Sequence, residues 1–235
     1  MAIATPESYA DMLDRAKAGK YAIPAINVTS SQTLSAALKG FADAESDGIV
    51  QISNGGAAYW SGSSRLDRVA GSLAFAAYAR AVGDLYPGIV GLHTDHCPKK
   101  FLDCWIHPLL EIEAERVKRG ELPVFQSHMW DGSAESLDDN IEIAVDMLKR
   151  SRAAHTVLEI EIGAVGGEED GIKGEENASL YTTADDAYRA IEALGLGENG
   201  RYITALTFGN VHGSYKPGHV KLRPEILGEI QVDVA

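Results

Sequence analysis

Cysteine, basic charge and long apolar runs are scarce in this sequence, and each scarcity removes a class of protein. The 2 cysteines, Cys97 and Cys104, cannot build the disulfide framework of a small secreted domain. Lysine and arginine number 21 against 34 aspartates and glutamates, for a formal net charge of −13. A surface of that sign repels nucleic acid and anionic lipid, whose recognition needs basic patches that displace counterions. No apolar stretch approaches the ~20 residues of a membrane span. The N-terminus, Met1-Ala2-Ile3-Ala4-Thr5-Pro6, lacks the basic and apolar regions of a signal peptide. These absences imply a reduced, cytoplasmic protein with neither nucleic acid nor membrane as partner. An anionic small substrate needs local positive charge, from a metal or from helix N-termini.

What is present is a globular composition: 235 residues, 45% of them hydrophobic and 23% charged, enough for one large α/β domain or two small ones. Short apolar runs alternate with helical patterns. Strands are expected at Tyr21–Ile26, Gly48–Ile52, Ile89–His93, Pro123–Ser127, Thr156–Ile162 and Tyr202–Phe208. Helices are expected from Thr5-Pro6-Glu7 to Gly19, over Ser31–Ala44, in an Ala-rich stretch ending near Tyr86-Pro87, and over Phe101–Arg119, Leu137–Ala154, Thr183–Leu194 and Arg223–Val234. A Gly/Ser-rich loop is read at Asn54–Ser64, and a loop without apolar periodicity at Gly163–Gly174. Repeated βα units with no antiparallel hairpin signal imply a parallel sheet.

Polar residues stand at the end of every expected strand: Asn27, Ser53, Asp95, His128 with Asp131, Glu161 and His212. That pattern fits a ring of strands around one central site better than an open sheet with a single switch point. The expected fold class is therefore α/β, a TIM (β/α)8 barrel of which about six of eight βα units are present, forming a single barrel domain over 1–235. Two imidazoles and several carboxylates at strand ends imply a metal site.

Six ordered segments carry a resemblance. They are Pro24-Ala25-Ile26-Asn27, Ser53-Asn54-Gly55-Gly56, His93-Thr94-Asp95-His96-Cys97-Pro98-Lys99, Ser127-His128-Met129-Trp130-Asp131-Gly132-Ser133, Glu159 to Gly163 with Gly166 to Gly171, and Phe208-Gly209-Asn210-Val211-His212-Gly213. In this order they resemble the class II, metal-dependent fructose-bisphosphate aldolases, in the longer-chain bacterial and fungal type. That family continues with a strand ending in His-Gly-Gly-Ser-Gly, which supplies a third zinc histidine, and with an Asn-x-Asp-Thr phosphate-binding segment; neither occurs in this sequence. The chain is thus expected to lack the last two βα units, as a fragment or as a shortened product.

The resemblance implies reversible cleavage of fructose 1,6-bisphosphate to dihydroxyacetone phosphate and glyceraldehyde 3-phosphate, in glycolysis and gluconeogenesis. Such cleavage leaves an enediolate that needs an imine or a cation as electron sink. The expected strands contain no lysine for an imine, and Lys216 falls in a loop beside Pro217 and Gly218. A metal sink is preferred, and imidazole with carboxylate suits zinc with an open position.

By resemblance, His96 and His212 match two ligands of a catalytic Zn2+, and Asp131 and Glu161 match the carboxylates of a second divalent position. Asp95 matches the residue that handles the proton on the aldehyde oxygen, and Glu169 the one that moves the proton on the ketone fragment. Asn27 positions substrate or Asp95, Ser53 contacts the aldehyde fragment, and Gly213 forms part of the ketone-side phosphate site, its carbonyl meeting a monovalent cation, Na+ or K+. His93 is assigned to orienting a ligand. Cys97 and Cys104 are read as packing thiols, and Lys99 and Lys100 as surface charge. A phosphorylated sugar is the implied substrate and a homodimer the implied assembly. The alternatives are an inactive or truncated remnant that binds metal poorly, and an aldolase for tagatose bisphosphate. Against each assigned role stands a plainer one: a histidine bonded to backbone, an acidic loop that is merely solvated, an ordinary turn at Ser53.

Overall fold

The computed structural model describes residues 3–163, 166–169, 172–174, 180–212 and 221–233. Strands and helices alternate: α1 (Pro6–Gly19), β1 (Ala25–Asn27), α2 (Ser31–Asp43), β2 (Gly48–Ser53), α3 (Asn54–Trp60), α4 (Arg68–Gly83), β3 (Val90–Pro98), α5 (His107–Lys118), β4 (Ser127–Asp131), α6 (Leu137–Ala154) and β5 (Val157–Ile162). After them come β6 (Gly166–Glu169), β7 (Ile172–Gly174), α7 (Ala184–Leu194), β8 (Tyr202–Leu206), β9 (Val211–His212) and α8 (Glu225–Asp233). Six strands form one sheet in the order β1-β2-β3-β4-β5-β8, as chain order predicts for successive right-handed βα units. No described helix is long and apolar enough to cross a membrane. The chain divides into two compact units, residues 1–129 with 150–157, and 130–149 with 158–235, so the division passes along β4, α6 and β5.

Local chemistry accounts for the starts of the helices. Thr5 and Ser8 form a reciprocal capping box at α1, with proline in the first turn, as do Ser30 with Thr33 at α2 and Thr183 with Asp186 at α7. The expected loop after β2 is instead a helix. Ser53 caps it by accepting a 3.3 Å hydrogen bond from the Gly56 N–H, and Ala57 and Ala58 are buried. Its short length and two glycines hid its periodicity. The segment expected as one helix from Phe101 begins as a 3-10 turn at Lys99–Phe101 and a π turn at Leu102–Ile106 before α5, and Pro108 sits in the first turn of α5. In that segment Cys104 is exposed, against its reading as a packing thiol, whereas Cys97 is buried.

The Gly163–Gly174 stretch also differs from expectation. β6 and β7 pair antiparallel, with Glu169 opposite Ile172, and β6 pairs parallel with β9, with Gly167 opposite His212. Asp170-Gly171, between the two strands in sequence, lies outside the described residues. The glycines and acids of β6 mask any alternation in the sequence.

In the first unit, β3 lies parallel to β2, with Gln51 opposite His93 and Ser53 opposite Asp95. Alternation puts Gly91, His93 and Asp95 on one face and Leu92 and Thr94 on the other. Gly91 carries the Tyr9 ring of α1 so closely that a Cβ there would overlap it. The Tyr9 hydroxyl bonds the Ser127 hydroxyl at 2.8 Å, which in turn bonds His93 Nδ1 at 2.8 Å, and all three residues are buried. On the other face, Thr94 Oγ1 meets His128 Nδ1 at 2.9 Å, and His128 Nε2 meets Glu113 Oε2 at 2.8 Å. Glu113 Oε1 accepts the Phe125 N–H at 2.7 Å, so α5 is tied to β4 and β3 through one fully buried carboxylate. In the second unit, Ala187, Ile226 and Ile230 pack with Tyr181, Ala184 and Leu206, joining α7, α8 and β8.

Burial holds the His93 imidazole well below its ordinary range, at about 4; the nearby Asp95 carboxylate opposes this, while His128 and His96 add to it. The unfolded chain takes up this proton near pH ~6.5 and the folded protein only near the lower value, so stability is whole above the first and falls as pH drops towards the second. The expected loss is on the order of 3 kcal/mol across that window. Urea midpoints measured between about pH 7 and about pH 4.5 should decline more steeply for the parent than for His93→Gln; equal slopes would refute the assignment.

Candidate metal and proton-transfer site

In the first unit, chemistry gathers at the C-terminal half of β3. Asp95 is buried, 7% exposed, and its Oδ2 accepts a 2.8 Å hydrogen bond from the Asn27 amide at the end of β1. His96 has φ +47°, a left-handed conformation that is uncommon outside glycine. Strict alternation would send residue 96 to the opposite side from residue 95. The turn at φ +47° instead leaves His96 Nε2 4.0 Å from Asp95 Oδ1, with the imidazole 21% exposed. The His96 N–H points at Met129 Sδ, 3.4 Å away. A strained φ of this kind costs roughly 1–3 kcal/mol and persists where the surroundings over-determine it, which is most often at functional positions. The expected strand ended at His93, but β3 runs on through Pro98, so His96 lies within the strand.

In the second unit, Asp131 ends β4 and Glu161 lies near the end of β5. Each places a carboxylate oxygen within 4.8 Å of the other. Asp131 Oδ1 accepts from the Ser133 N–H at 3.1 Å and the Ser133 hydroxyl at 2.5 Å, and Glu161 is 2% exposed. Two ionised carboxylates within that distance repel by roughly 3 kcal/mol at an effective dielectric near 20, a cost that a bound cation would relieve. Asn140 of α6 links the Glu161 backbone to the side chain of Trp130, the residue before Asp131. Its Nδ2 donates to the Glu161 carbonyl at 2.8 Å, and its Oδ1 accepts from Trp130 Nε1 at 2.7 Å. No sequence motif marked Asn140; its position one turn into an otherwise regular helix gives no signal until β4 and β5 flank it.

The remaining expected residues divide plainly. Ser53 stands opposite Asp95 in the sheet register with its hydroxyl engaged as a helix cap. His128, one of the expected strand-end polar groups, is fully buried between Thr94 and Glu113 on the other face of the sheet from Asp95 and serves packing. Glu169 and His212 have described backbones in β6 and β9, while their side chains lie outside the described residues, as do Gly213 and Lys216 altogether.

The family model for fructose-bisphosphate aldolase class-II matches residues 7–234. A fructose-bisphosphate aldolase of Streptomyces coelicolor is 62% identical over all 235 residues, which span 68% of its length. One from Corynebacterium glutamicum is 59% identical over 231 residues, covering 98% of this chain and 67% of that protein. The crystal structure of a fructose-bisphosphate aldolase from Campylobacter jejuni superposes with a TM-score of 0.84 at 37% identity, covering 99% of this chain and 65% of that one. The chain therefore spans about two thirds of the length of these relatives, and its six parallel strands are six of the eight βα units of a (β/α)8 barrel. Sequence, strand order and superposition agree that the chain belongs to the class II fructose-bisphosphate aldolase family.

Proposed function

We propose that this chain forms the greater part of one barrel domain of a cytoplasmic, metal-dependent aldolase that reversibly cleaves fructose 1,6-bisphosphate to dihydroxyacetone phosphate and glyceraldehyde 3-phosphate. The observation that carries the reading is the Asp95–His96 pair, a buried carboxylate aimed by Asn27 beside an imidazole turned out of strand alternation. The names of the relatives favour fructose over tagatose bisphosphate.

The donor chemistry fits a divalent ion. His96 and His212 are proposed to hold the catalytic zinc, and Asp131 and Glu161, whose oxygens already approach within 4.8 Å, a second divalent position. When bound, the ion supplies positive charge against which the ketone oxygen can become negative. The protein's own groups do the rest. In cleavage Asp95 removes the proton from the hydroxyl that becomes the aldehyde oxygen, and in condensation it returns that proton. The Asn27 amide, donating to Oδ2, holds the carboxylate in line for that transfer. Glu169 delivers a proton to the carbon of the ketone fragment. Ser53 contacts the aldehyde fragment, and the Gly213 amide meets the ketone-side phosphate, with Na+ or K+ at its carbonyl. In so acidic a protein, backbone amides and bound cations are the economical way to receive a bisphosphate. A homodimer is the proposed assembly.

Cleavage of fructose bisphosphate by the metal-loaded protein, followed through reduction of the triose product, should be abolished by a chelator and untouched by borohydride; borohydride inactivation would point to an imine and overturn the reading. Asp95→Asn, which keeps the shape and removes the base, should lower kcat by about 10²- to 10⁴-fold with little change in KM. Asn27→Ala should lower kcat about 10-fold with little change in KM, read from steady-state kinetics of the folded variant. An unchanged kcat would count against its role in holding Asp95. His212→Ala should abolish both cleavage and stoichiometric zinc, measured by metal analysis of the purified protein.

A further inference from the structure

The proposed metal position needs Asp131 and Glu161 to stay close although like charges drive them apart. Ser133 bonds Asp131 locally, and Asn140 links the Asp131 strand end to that of Glu161 through three features of the second unit. Its side chain is 4% exposed and fully used: Nδ2 donates to the carbonyl of Glu161 itself at 2.8 Å, and Oδ1 accepts from Trp130 Nε1 at 2.7 Å. Trp130 immediately precedes Asp131, and its indole also approaches the Asn140 backbone carbonyl at 3.3 Å. Gly132 immediately follows Asp131, and a Cβ there would overlap the Asn140 amide, so the strand end can lie this close to α6 only because residue 132 lacks a side chain.

Because successive strand residues face opposite sides, fixing Trp130 on one side and the backbone at Gly132 fixes the direction in which Asp131 leaves the strand. The same amide holds the backbone of Glu161. One planar group thus couples the two strand ends, and only a side chain with both a donor and an acceptor at this length can do so. We infer that Asn140 is a positioning residue that sets the separation of the Asp131 and Glu161 carboxylates and so the affinity of the divalent position they form. This rests on the donor assignment of the proposed function. Holding two like charges together in the metal-free protein preorganises the site, so the ion meets donors already in place.

Co2+ titrated into chelator-stripped protein, read by its visible absorbance, tests this separately from activity. Asn140→Asp replaces the donor to the Glu161 carbonyl with an acceptor; it should weaken Co2+ binding about 10- to 100-fold and change the absorption envelope. Trp130→Phe keeps a ring in place and removes only the indole donor; it should act in the same direction and more weakly, and it decides the matter if Asn140→Asp does not fold. A purely structural role predicts a lower urea midpoint with affinity and spectrum unchanged in the folded variants, and that result overturns the inference. Asp131→Asn and Glu161→Gln calibrate the assay. If neither alters Co2+ binding, the donor assignment fails and the inference falls with it; if both weaken binding while Asn140→Asp and Trp130→Phe do not, the donors stand and the role of Asn140 is refuted.

Discussion

The functional end of the first unit depends on β3 keeping strict alternation as far as Asp95 and then breaking it at His96. Up to residue 95 the period of two sorts the strand: His93 and Asp95 go to one face, Leu92 and Thr94 to the other, and each side chain finds a fixed environment. The positive φ at His96 then turns the next imidazole back towards the carboxylate. Without that turn Asp95 and His96 would project to opposite sides of the strand. The strain is local, and the surrounding ties absorb it: Asn27 holds Asp95, and Thr94 is locked through His128 to Glu113. A strand anchored on both faces can tolerate one unfavourable residue at its mouth.

Charge follows a similar logic. A chain of net −13 that concentrates carboxylates at strand ends spends stability to do so, and the expense is reduced where a cation is to arrive. Buried acids elsewhere are handled differently. Glu113 is fully buried, yet both of its oxygens are occupied by a backbone N–H and an imidazole. The Asp131 and Glu161 oxygens face each other instead. Mutual proximity of two carboxylates, which Glu113 does not share, is what a metal position would need and what fastening a helix to a sheet does not.

Six parallel strands, α6 and the strand-end location of Asp131 and Glu161 were legible because alternation and helical periodicity are properties of short windows. What stayed hidden depended on partners distant in sequence or on single backbone angles. α3 is too short and glycine-rich to show a period, and β6 has no alternation because its residues are Gly166-Gly167-Glu168-Glu169. The φ of His96 cannot be read from residue type, and its effect is to turn the imidazole back beside Asp95. Asn140 carries no motif; it matters because Gly132 makes room for it and Glu161 offers a carbonyl, two facts that exist only once β4, β5 and α6 are packed.

The imidazoles of β3 and β4 show why motif and role are different things. His93 and His96 belong to one strand, β3, and His128 to its neighbour β4. His93 bonds Ser127 at the level of the Tyr9 ring and is held neutral by burial, which suits an internal tie and disfavours proton exchange near neutral pH. His128 is enclosed between a hydroxyl and a carboxylate, so both ring nitrogens are already spoken for. His96 alone of the three reaches solvent, on a backbone conformation that costs free energy to maintain. Packing alone does not require that cost, because a histidine in ordinary strand geometry would fill space equally well. A ligand that must reach over the edge of a strand beside Asp95 does require it, and this is the physical ground for separating His96 from its two structural neighbours.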